Sequence, residues 1–225
     1  MEEIKRADVQ VVQPKITLEA IKNKSHLEIE VKGNFGAVLE ELNTKLADKL
    51  GNLKLTPRSA EGFHITVIGP TESKVLQTMT EAQLAELEAI NSKLKDGQGI
   101  HIDGIGFIDG ATQAGIREAD KTKKTAFLAF SVVSEEGKSD IQKFRASLGL
   151  PSKDLHITLG FVESEKGGDI HMQIVGKDEK GKDKMGSISK KADPAFRDLF
   201  LHELPNMYIK VGEIGGPEKQ KKQEK

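Results

Sequence analysis

The tripeptide His-Ile-Thr occurs twice in this chain, and its residue types are suited to acid–base chemistry. One copy begins at His64 and the other at His156, so the two are 92 residues apart (156 − 64 = 92). Histidine titrates close to neutral pH, and a threonine hydroxyl can donate a hydrogen bond to an anionic oxygen. Two such pairs suit phosphate-ester chemistry, in which an attacking oxygen loses a proton and a leaving oxygen gains one.

Each copy lies in an apolar run that predicts a β-strand. Residues i and i+2 of a strand share a face, so we expect His64 and Thr66 to point to the same side, and His156 and Thr158 to do likewise. The isoleucine between them then points into the core. If the two strands face one cleft, two imidazoles and two hydroxyls converge there.

Hydrophobic periodicity around the motifs predicts a mixture of hairpin strands and helices, which indicates an α+β fold. The predicted strands are 27–31, 63–68, 100–108, 126–133, 155–162 and 207–214. The predicted helices are 35–50, 71–94 with Thr80 as the cap of a second helix within it, 139–148 and 194–202.

The second half of the chain repeats the helix-then-strand order of the first, which predicts one domain, 1–225, with two similar lobes. The first-lobe motif is centred on 63–70 and the second-lobe motif on 155–162. Residues 176–191 are rich in Gly, Lys, Asp and Ser and predict a mobile, solvated surface loop. We expect 217–225 to be a disordered tail.

Composition excludes several classes of protein. The chain has no cysteine, which rules out disulfides, thiolate zinc sites and cysteine nucleophiles. Its 36% hydrophobic and 31% charged residues indicate a globular protein, and a net charge of −1 argues against tight binding to long duplex nucleic acid. No signal-peptide pattern and no run of about 18 apolar residues is present, so we expect a cytoplasmic protein that does not bind membranes.

The paired His-x-Thr motifs, one in each half of a chain of this size, resemble those of the two-histidine (2H) phosphoesterase superfamily. It includes bacterial RNA 2′,3′-cyclic phosphodiesterases (also called 2′-5′ RNA ligases), plant ADP-ribose cyclic phosphodiesterases and 2′,5′-oligonucleotide phosphodiesterases. The resemblance implies a bilobal fold of two antiparallel sheets with outer helices around a central cleft. It also implies that His64 and His156 are the acid–base pair, in either order, and that Thr66 and Thr158 bind the phosphate.

Three further residues are candidates for contact with the substrate. Arg58 and Lys153 precede the two motifs and could each reach a phosphate, although ordinary solvated charges are the alternative. Phe161 could stack on a base, although a strand phenylalanine is more often part of the core. The other four histidines have no threonine two residues on and are assigned structural or surface roles: His26, His101, His171 and His202.

These observations predict a monomeric, metal-independent phosphodiesterase without a cofactor. Its substrate would be a cyclic (2′,3′-type) or 2′-linked phosphodiester of an RNA end or a nucleotide, and by microscopic reversibility it could also join 2′-5′ RNA ends. Two alternatives remain open. The chain could be a module that binds a nucleotide or RNA end without turnover, or a structural α+β domain in which the two motifs coincide by chance.

Overall fold

The computed structural model describes residues 16–58, 62–96, 100–132, 139–162, 168–197 and 209–219. The strands in these ranges are β1 (Leu27–Gly33), β2 (Thr56–Pro57), β3 (Phe63–Ile68), β4 (Ile100–Asp109), β5 (Lys124–Val132), β6 (His156–Phe161), β7 (Met172–Lys177), β8 (Asp183–Ser187) and β9 (Ile209–Gly215). The α-helices are α1 (Leu18–Lys22), α2 (Phe35–Lys45), α3 (Ala47–Leu50), α4 (Glu81–Lys95) and α5 (Asp140–Ser147). Short 3₁₀ helices span Pro70–Gln77, Glu118–Asp120 and Pro194–Phe196.

The strands form two antiparallel sheets and a separate antiparallel ribbon. The first sheet has the order β3-β1-β9 and the second the order β2-β6-β5-β4, while β7 and β8 pair only with each other. The predicted α+β class with antiparallel sheets and helices is therefore confirmed. One His-x-Thr strand lies in each main sheet, since β3 is an edge of the first and β6 is an inner strand of the second.

The two sheets do not correspond to the two halves of the chain. β9, from the C-terminal part, completes the first sheet, and β2 and β4, from the first half, belong to the second. Helix α2 packs against β2 and β6 of the second sheet, and α4 packs against β9 of the first. The strands β3 and β6 lie beside each other, so the two sheets meet at the two motifs.

Helices α2, α4 and α5 form where the sequence predicts helices, although α1 was not predicted and the first part of the helix predicted over 71–94 is the 3₁₀ helix Pro70–Gln77. Thr80 caps α4 as expected, because its Oγ1 accepts a hydrogen bond from Gln83 N (3.3 Å) and the Gln83 side chain accepts one from Thr80 N (3.0 Å). The single helix predicted over 35–50 is wrong: it is interrupted at Leu46, which has φ −97° and ψ 8°. The apolar stripe continues across that break, since Leu46 and Leu50 are both buried in the main core.

The prediction of a mobile surface loop over 176–191 is wrong in part, since residues 176–184 are exposed as predicted but the segment has regular structure. Much of this segment is the β7–β8 ribbon and the chain that returns from it. Ile170 precedes β7 and Ile188 follows β8 in the chain. Both are buried with Phe127 in a second, smaller hydrophobic cluster, separate from the main core. This packing depends on residues distant in the chain, which a local count of Gly and Lys does not detect.

The predicted C-terminal elements are described in part. The helix predicted over 194–202 begins as the 3₁₀ helix Pro194–Phe196, and its residues beyond 197, with His202, lie outside the described ranges. Residues 217–219 of the predicted tail contact the chain before β1, where Ser25 N donates to Pro217 O (2.8 Å); 220–225 lie outside the description. Among the described helices, none has the length and apolar character needed to cross a membrane.

Candidate active site

A cavity of about 670 Å³ lies where β3 and β6 meet, and both His-x-Thr motifs line it. The structure thus brings together His64, Thr66, His156 and Thr158, which are far apart in sequence. The alternation of the strands explains their orientation: Ile65 and Ile157, each between a histidine and a threonine, are almost completely buried in the core. Residues from the neighbouring loops and the ribbon complete the lining, among them His26, Arg58, Lys153, His171 and Lys190.

His64 lies beside a carboxylate. Its Nδ1 is 3.3 Å from Oε2 of Glu28 on the adjacent strand β1, and the same oxygen is 3.0 Å from Nε2 of His26. Burial alone would raise the pKa of Glu28, but the hydrogen bond from His26 and the charges of His64 and Arg58 lower it below its ordinary value. Glu28 is therefore ionised at neutral pH and places a negative charge beside both rings.

His156 has a different environment. Its Nδ1 lies 3.0 Å from the backbone carbonyl oxygen of Asp154, to which it donates a hydrogen bond. Burial, followed by the charge of Lys190, lowers the pKa of His156 to about 3, although the Asp154 hydrogen bond and the Asp169 charge act in the opposite direction. The ring is therefore neutral at pH 7 with its proton on Nδ1, which leaves Nε2 as the basic nitrogen.

Thr158 takes part in a buried charge network. Its hydroxyl donates to Oδ2 of Asp169 (3.0 Å), while Lys190 Nζ lies 3.0 Å from Oδ1 of the same carboxylate. Arg58 Nη1 (3.9 Å) and His171 Nε2 (3.5 Å) are also close to Asp169 Oδ2. Burial would raise the pKa of Asp169, but Lys190 and His171 lower it, and the group stays ionised. The Thr158 hydroxyl can therefore donate to a phosphate only if it turns away from Asp169.

Asp154 connects His156 to the segment that carries Lys190. The Asp154 carbonyl accepts the His156 hydrogen bond, and its carboxylate accepts hydrogen bonds from Ser189 Oγ (2.7 Å) and Lys190 N (3.2 Å). Asp154, two residues before His156, thus orients an imidazole and holds the segment that returns from the ribbon. This contact explains how Lys190, only 2% exposed, is positioned next to the second motif.

Lys153 lies at another part of the cavity, with Nζ 3.8 Å from Glu72 Oε2. Glu72 also pairs with Arg145, which is only 1% exposed, at 2.7 Å between Oε1 and Nη2. The Arg145 guanidinium donates in addition to the carbonyl oxygens of Val67 (2.6 Å) and Pro151 (2.7 Å). It therefore links the end of β3 to the loop that precedes β6, and holds the two motif strands together.

The remaining candidate, Phe161, lies at the end of β6 and outside the cavity lining. A Cβ atom on Gly168 would come within 1.8 Å of its ring, so Phe161 is covered by the backbone of the following segment. This position does not support stacking of Phe161 on a substrate base. His101, assigned a surface role, is exposed on β4, whereas His26 and His171, given the same assignment, line the cavity.

Sequence reasoning also missed Glu28, Asp169 and Lys190. A signal existed for Glu28, because Leu27, Ile29 and Val31 alternate with charged residues on β1, which places Glu28 on the face opposite the core. Nothing local marks Asp169 or Lys190, whose roles depend on how the ribbon segment folds back. Over the described ranges, no three His, Asp or Glu side chains are grouped so that they could hold a metal ion.

Comparison with known proteins identifies the family. A family model described as "Swiss Army Knife, 2H phosphoesterase domain" (2H-SAK) matches residues 29–171, more than half of the chain and a region that contains both motifs. Neither the curated proteins nor the solved structures yielded a match of significance. Because the matched region includes both motif strands and the greater part of the two sheets, the chain belongs to the 2H phosphoesterase family.

Proposed function

We propose that this phosphoesterase hydrolyses a cyclic 2′,3′-type or 2′-linked phosphodiester at an RNA end or in a nucleotide. The observation that carries the proposal is that two imidazoles with contrasting surroundings line one cavity. His64 lies beside the Glu28 carboxylate, and His156 donates to a carbonyl close to the Lys190 ammonium. The first environment favours a charged ring and the second a neutral one, as an acid–base pair requires.

We assign the two roles from this contrast. Neutral His156 accepts a proton at Nε2 from a water molecule as the water oxygen forms its bond to phosphorus. His64, charged and in contact with Glu28, donates its Nε2 proton to the ribose oxygen as the bond between that oxygen and phosphorus breaks. The Asp154 carbonyl then stabilises the His156 imidazolium through Nδ1. If the 5′-hydroxyl of a second RNA end takes the place of water as the nucleophile, the same two proton transfers open the cyclic phosphate into a 2′-5′ linkage and so join the two ends.

Negative charge on the two non-bridging oxygens has to be stabilised during this transfer. Thr66, on the same strand face as His64, is placed to donate one hydrogen bond. On the other side of the cavity, Lys190 and Arg58 supply positive charge within the Asp169 network. We propose that Thr158 joins them when its hydroxyl turns from Asp169 to the phosphate.

The size of the cavity supports a small substrate. Its volume of about 670 Å³ is within the range of small-molecule sites, roughly 300–1,000 Å³, and suits a nucleotide or the terminal nucleotide of an RNA strand. Base recognition would depend on polar groups and on the ribbon, since aromatic residues make up only 4% of the chain and Phe161 lies elsewhere.

The test is hydrolysis of nucleoside 2′,3′-cyclic phosphates and 2′,5′-linked dinucleotides in EDTA by the wild type, His64→Ala and His156→Ala. His101→Ala is the matched control, because it removes an exposed imidazole outside the cavity. We expect turnover by the wild type and the control, and a loss of at least about 100-fold in each motif variant.

Two results would contradict the proposal. Turnover that persists in either motif variant would exclude paired acid–base catalysis by these residues. A nucleotide that raises the melting temperature without being hydrolysed would instead favour the binding module.

A further inference from the structure

We propose that Glu28, held in place by His26, is a positioning residue for His64 and maintains it as the acid of the reaction. The inference rests on the proposed function, because it assumes that His64 donates a proton to the leaving oxygen. Neither Glu28 nor His26 is part of a His-x-Thr motif. Both nevertheless belong to the surroundings of the cavity, His26 as part of its lining and Glu28 through its contact with His64.

The β1–β3 pairing brings the carboxylate to the ring. Glu28 lies opposite Thr66 in the antiparallel register, and its side chain projects from the face of β1 that is turned away from the core. Its Oε2 lies between two imidazole nitrogens, 3.0 Å from Nε2 of His26 and 3.3 Å from Nδ1 of His64. The centroids of the two rings are 6.4 Å apart.

A run of polar contacts fixes His26 behind the carboxylate. Its Nδ1 lies 3.1 Å from Ser25 Oγ, and that hydroxyl is 3.2 Å from the carbonyl oxygen of Pro217, to which it donates. Pro217 belongs to the segment that follows β9, so the position of His26 depends on the pairing of β9 with β1 in the first sheet. Glu28 is thus held from one side by His26 while it contacts His64 on the other.

A carboxylate on Nδ1 of a catalytic histidine has two effects. The contact between Glu28 and His64 is an ion pair without hydrogen-bond geometry, so the carboxylate acts through its charge: it favours a proton on Nδ1, so that exchange with the substrate takes place at Nε2, and it stabilises the charged ring. His156 obtains only the first effect from the Asp154 carbonyl, which carries no net charge. Glu28 therefore favours the charged state of His64, whereas burial and Lys190 keep His156 neutral, and removing the Glu28 charge should affect His64 in particular.

The experiment compares Glu28→Gln with Glu30→Gln. Both replace a carboxylate by an amide on the same face of β1, but the Glu30 side chain is 50% exposed and pairs with Lys32. For Glu28→Gln we expect kcat to fall between about 100-fold and 10,000-fold with KM nearly unchanged, because the lost interaction acts on proton transfer. Glu30→Gln should retain the wild-type kcat.

The pH profile distinguishes positioning from a merely structural role. The charged groups that face Glu28 are His26, His64 and Arg58, and His64 must be protonated to act as the acid. Without the carboxylate the charged ring is less stable, so the alkaline limb of kcat/KM should move to lower pH in Glu28→Gln. Unchanged kcat and an unchanged alkaline limb in a folded Glu28→Gln protein would overturn the inference.

Failure of this inference can be told apart from failure of the proposed function. If His64→Ala is inactive and Glu28→Gln is fully active, only the role of Glu28 is wrong. If the wild type hydrolyses no phosphodiester, nitrogen NMR of the imidazoles at alkaline pH, where the rings are neutral, decides: we expect neutral His64 to carry its proton on Nδ1 in the wild type and to lose this preference in Glu28→Gln. Should Glu28→Gln not fold, His26→Gln is measured in the same way, with a smaller loss of kcat expected and wild-type kcat as the contrary result.

Discussion

The neutral state of His156 predicts how the stability of the protein depends on pH, and no substrate is needed to test it. Burial and the charge of Lys190 lower the pKa of His156 to about 3, whereas a histidine in an unfolded chain titrates near about 6.5. Between these values the unfolded chain binds a proton that the native protein does not. The free energy of unfolding therefore falls as the pH is lowered through this window, and is fully retained above it.

The size of the loss in unfolding free energy follows from how many pH units the protein is taken below the pKa of an unfolded histidine. Each pH unit below about 6.5 costs close to 1.4 kcal/mol for one proton, so lowering the pH to 5 removes about 2 kcal/mol of stability through His156 alone. This result depends little on the native pKa, since any value below about 4 leaves the folded ring neutral at pH 5. The expected effect is thus determined by the burial of the ring and by Lys190.

The assay is urea unfolding at pH 7.5 and pH 5.0 for the wild type, His156→Gln and the control His101→Gln. The groups that titrate in all three proteins, such as Glu72, cancel when the pH dependences are compared. The wild type should lose about 2 kcal/mol more between the two pH values than His156→Gln does. His101→Gln removes an exposed ring outside the cavity and should retain the pH dependence of the wild type.

Parallel pH dependences in the wild type and His156→Gln would refute this reasoning, because they would mean that the native ring is protonated as readily as the unfolded one. Proton NMR of the His156 ring gives an independent check. Its Cε1 proton should keep the chemical shift of a neutral imidazole from pH 7.5 to pH 5. A titration centred near pH 6 would contradict both the burial argument and the assignment of His156 as the base.

Further predictions concern two buried cations, Lys190 and Arg145, and Phe161, which lies outside the cavity lining. Lys190→Met removes a charge that lowers the pKa of His156, so the acidic limb of kcat/KM should move to higher pH; an unchanged limb would contradict that coupling. Arg145→Met removes a donor to two carbonyl oxygens and the buried partner of Glu72, which retains Gly69 N and Lys153 as partners, and should lower the free energy of unfolding by about 3 kcal/mol, measured in urea; a loss below about 1 kcal/mol would show that the link is dispensable. Phe161→Leu should leave KM for a nucleotide substrate within about twofold of the wild type, since the ring lies outside the cavity lining, and a large increase in KM would restore its predicted contact with the substrate.

Much of the fold could be predicted from the sequence because it is recorded in local periodicity. The alternation on β1 and around His64 on β3 specifies which side chains are buried, and the Thr80 cap specifies where α4 begins. The repeated motif also identified four side chains that the fold does bring to one cavity, since the i, i+2 geometry of a strand holds whatever the strand pairs with. These features depend on neighbours in sequence, so the sequence alone determined them.

Other features depend on contacts between distant segments, and only the tertiary structure decided them. The difference between the two histidines comes from Glu28, brought to His64 by strand pairing, and from Lys190, brought to the second motif by a segment that local composition marks as a solvated loop. Phe161 lies outside the cavity lining and packs close to Gly168, a residue of the segment that follows β6. The His-x-Thr sequence is the same in both strands, so it cannot distinguish the acid from the base. Burial and neighbouring charge shift proton affinity, and both are properties of the folded chain.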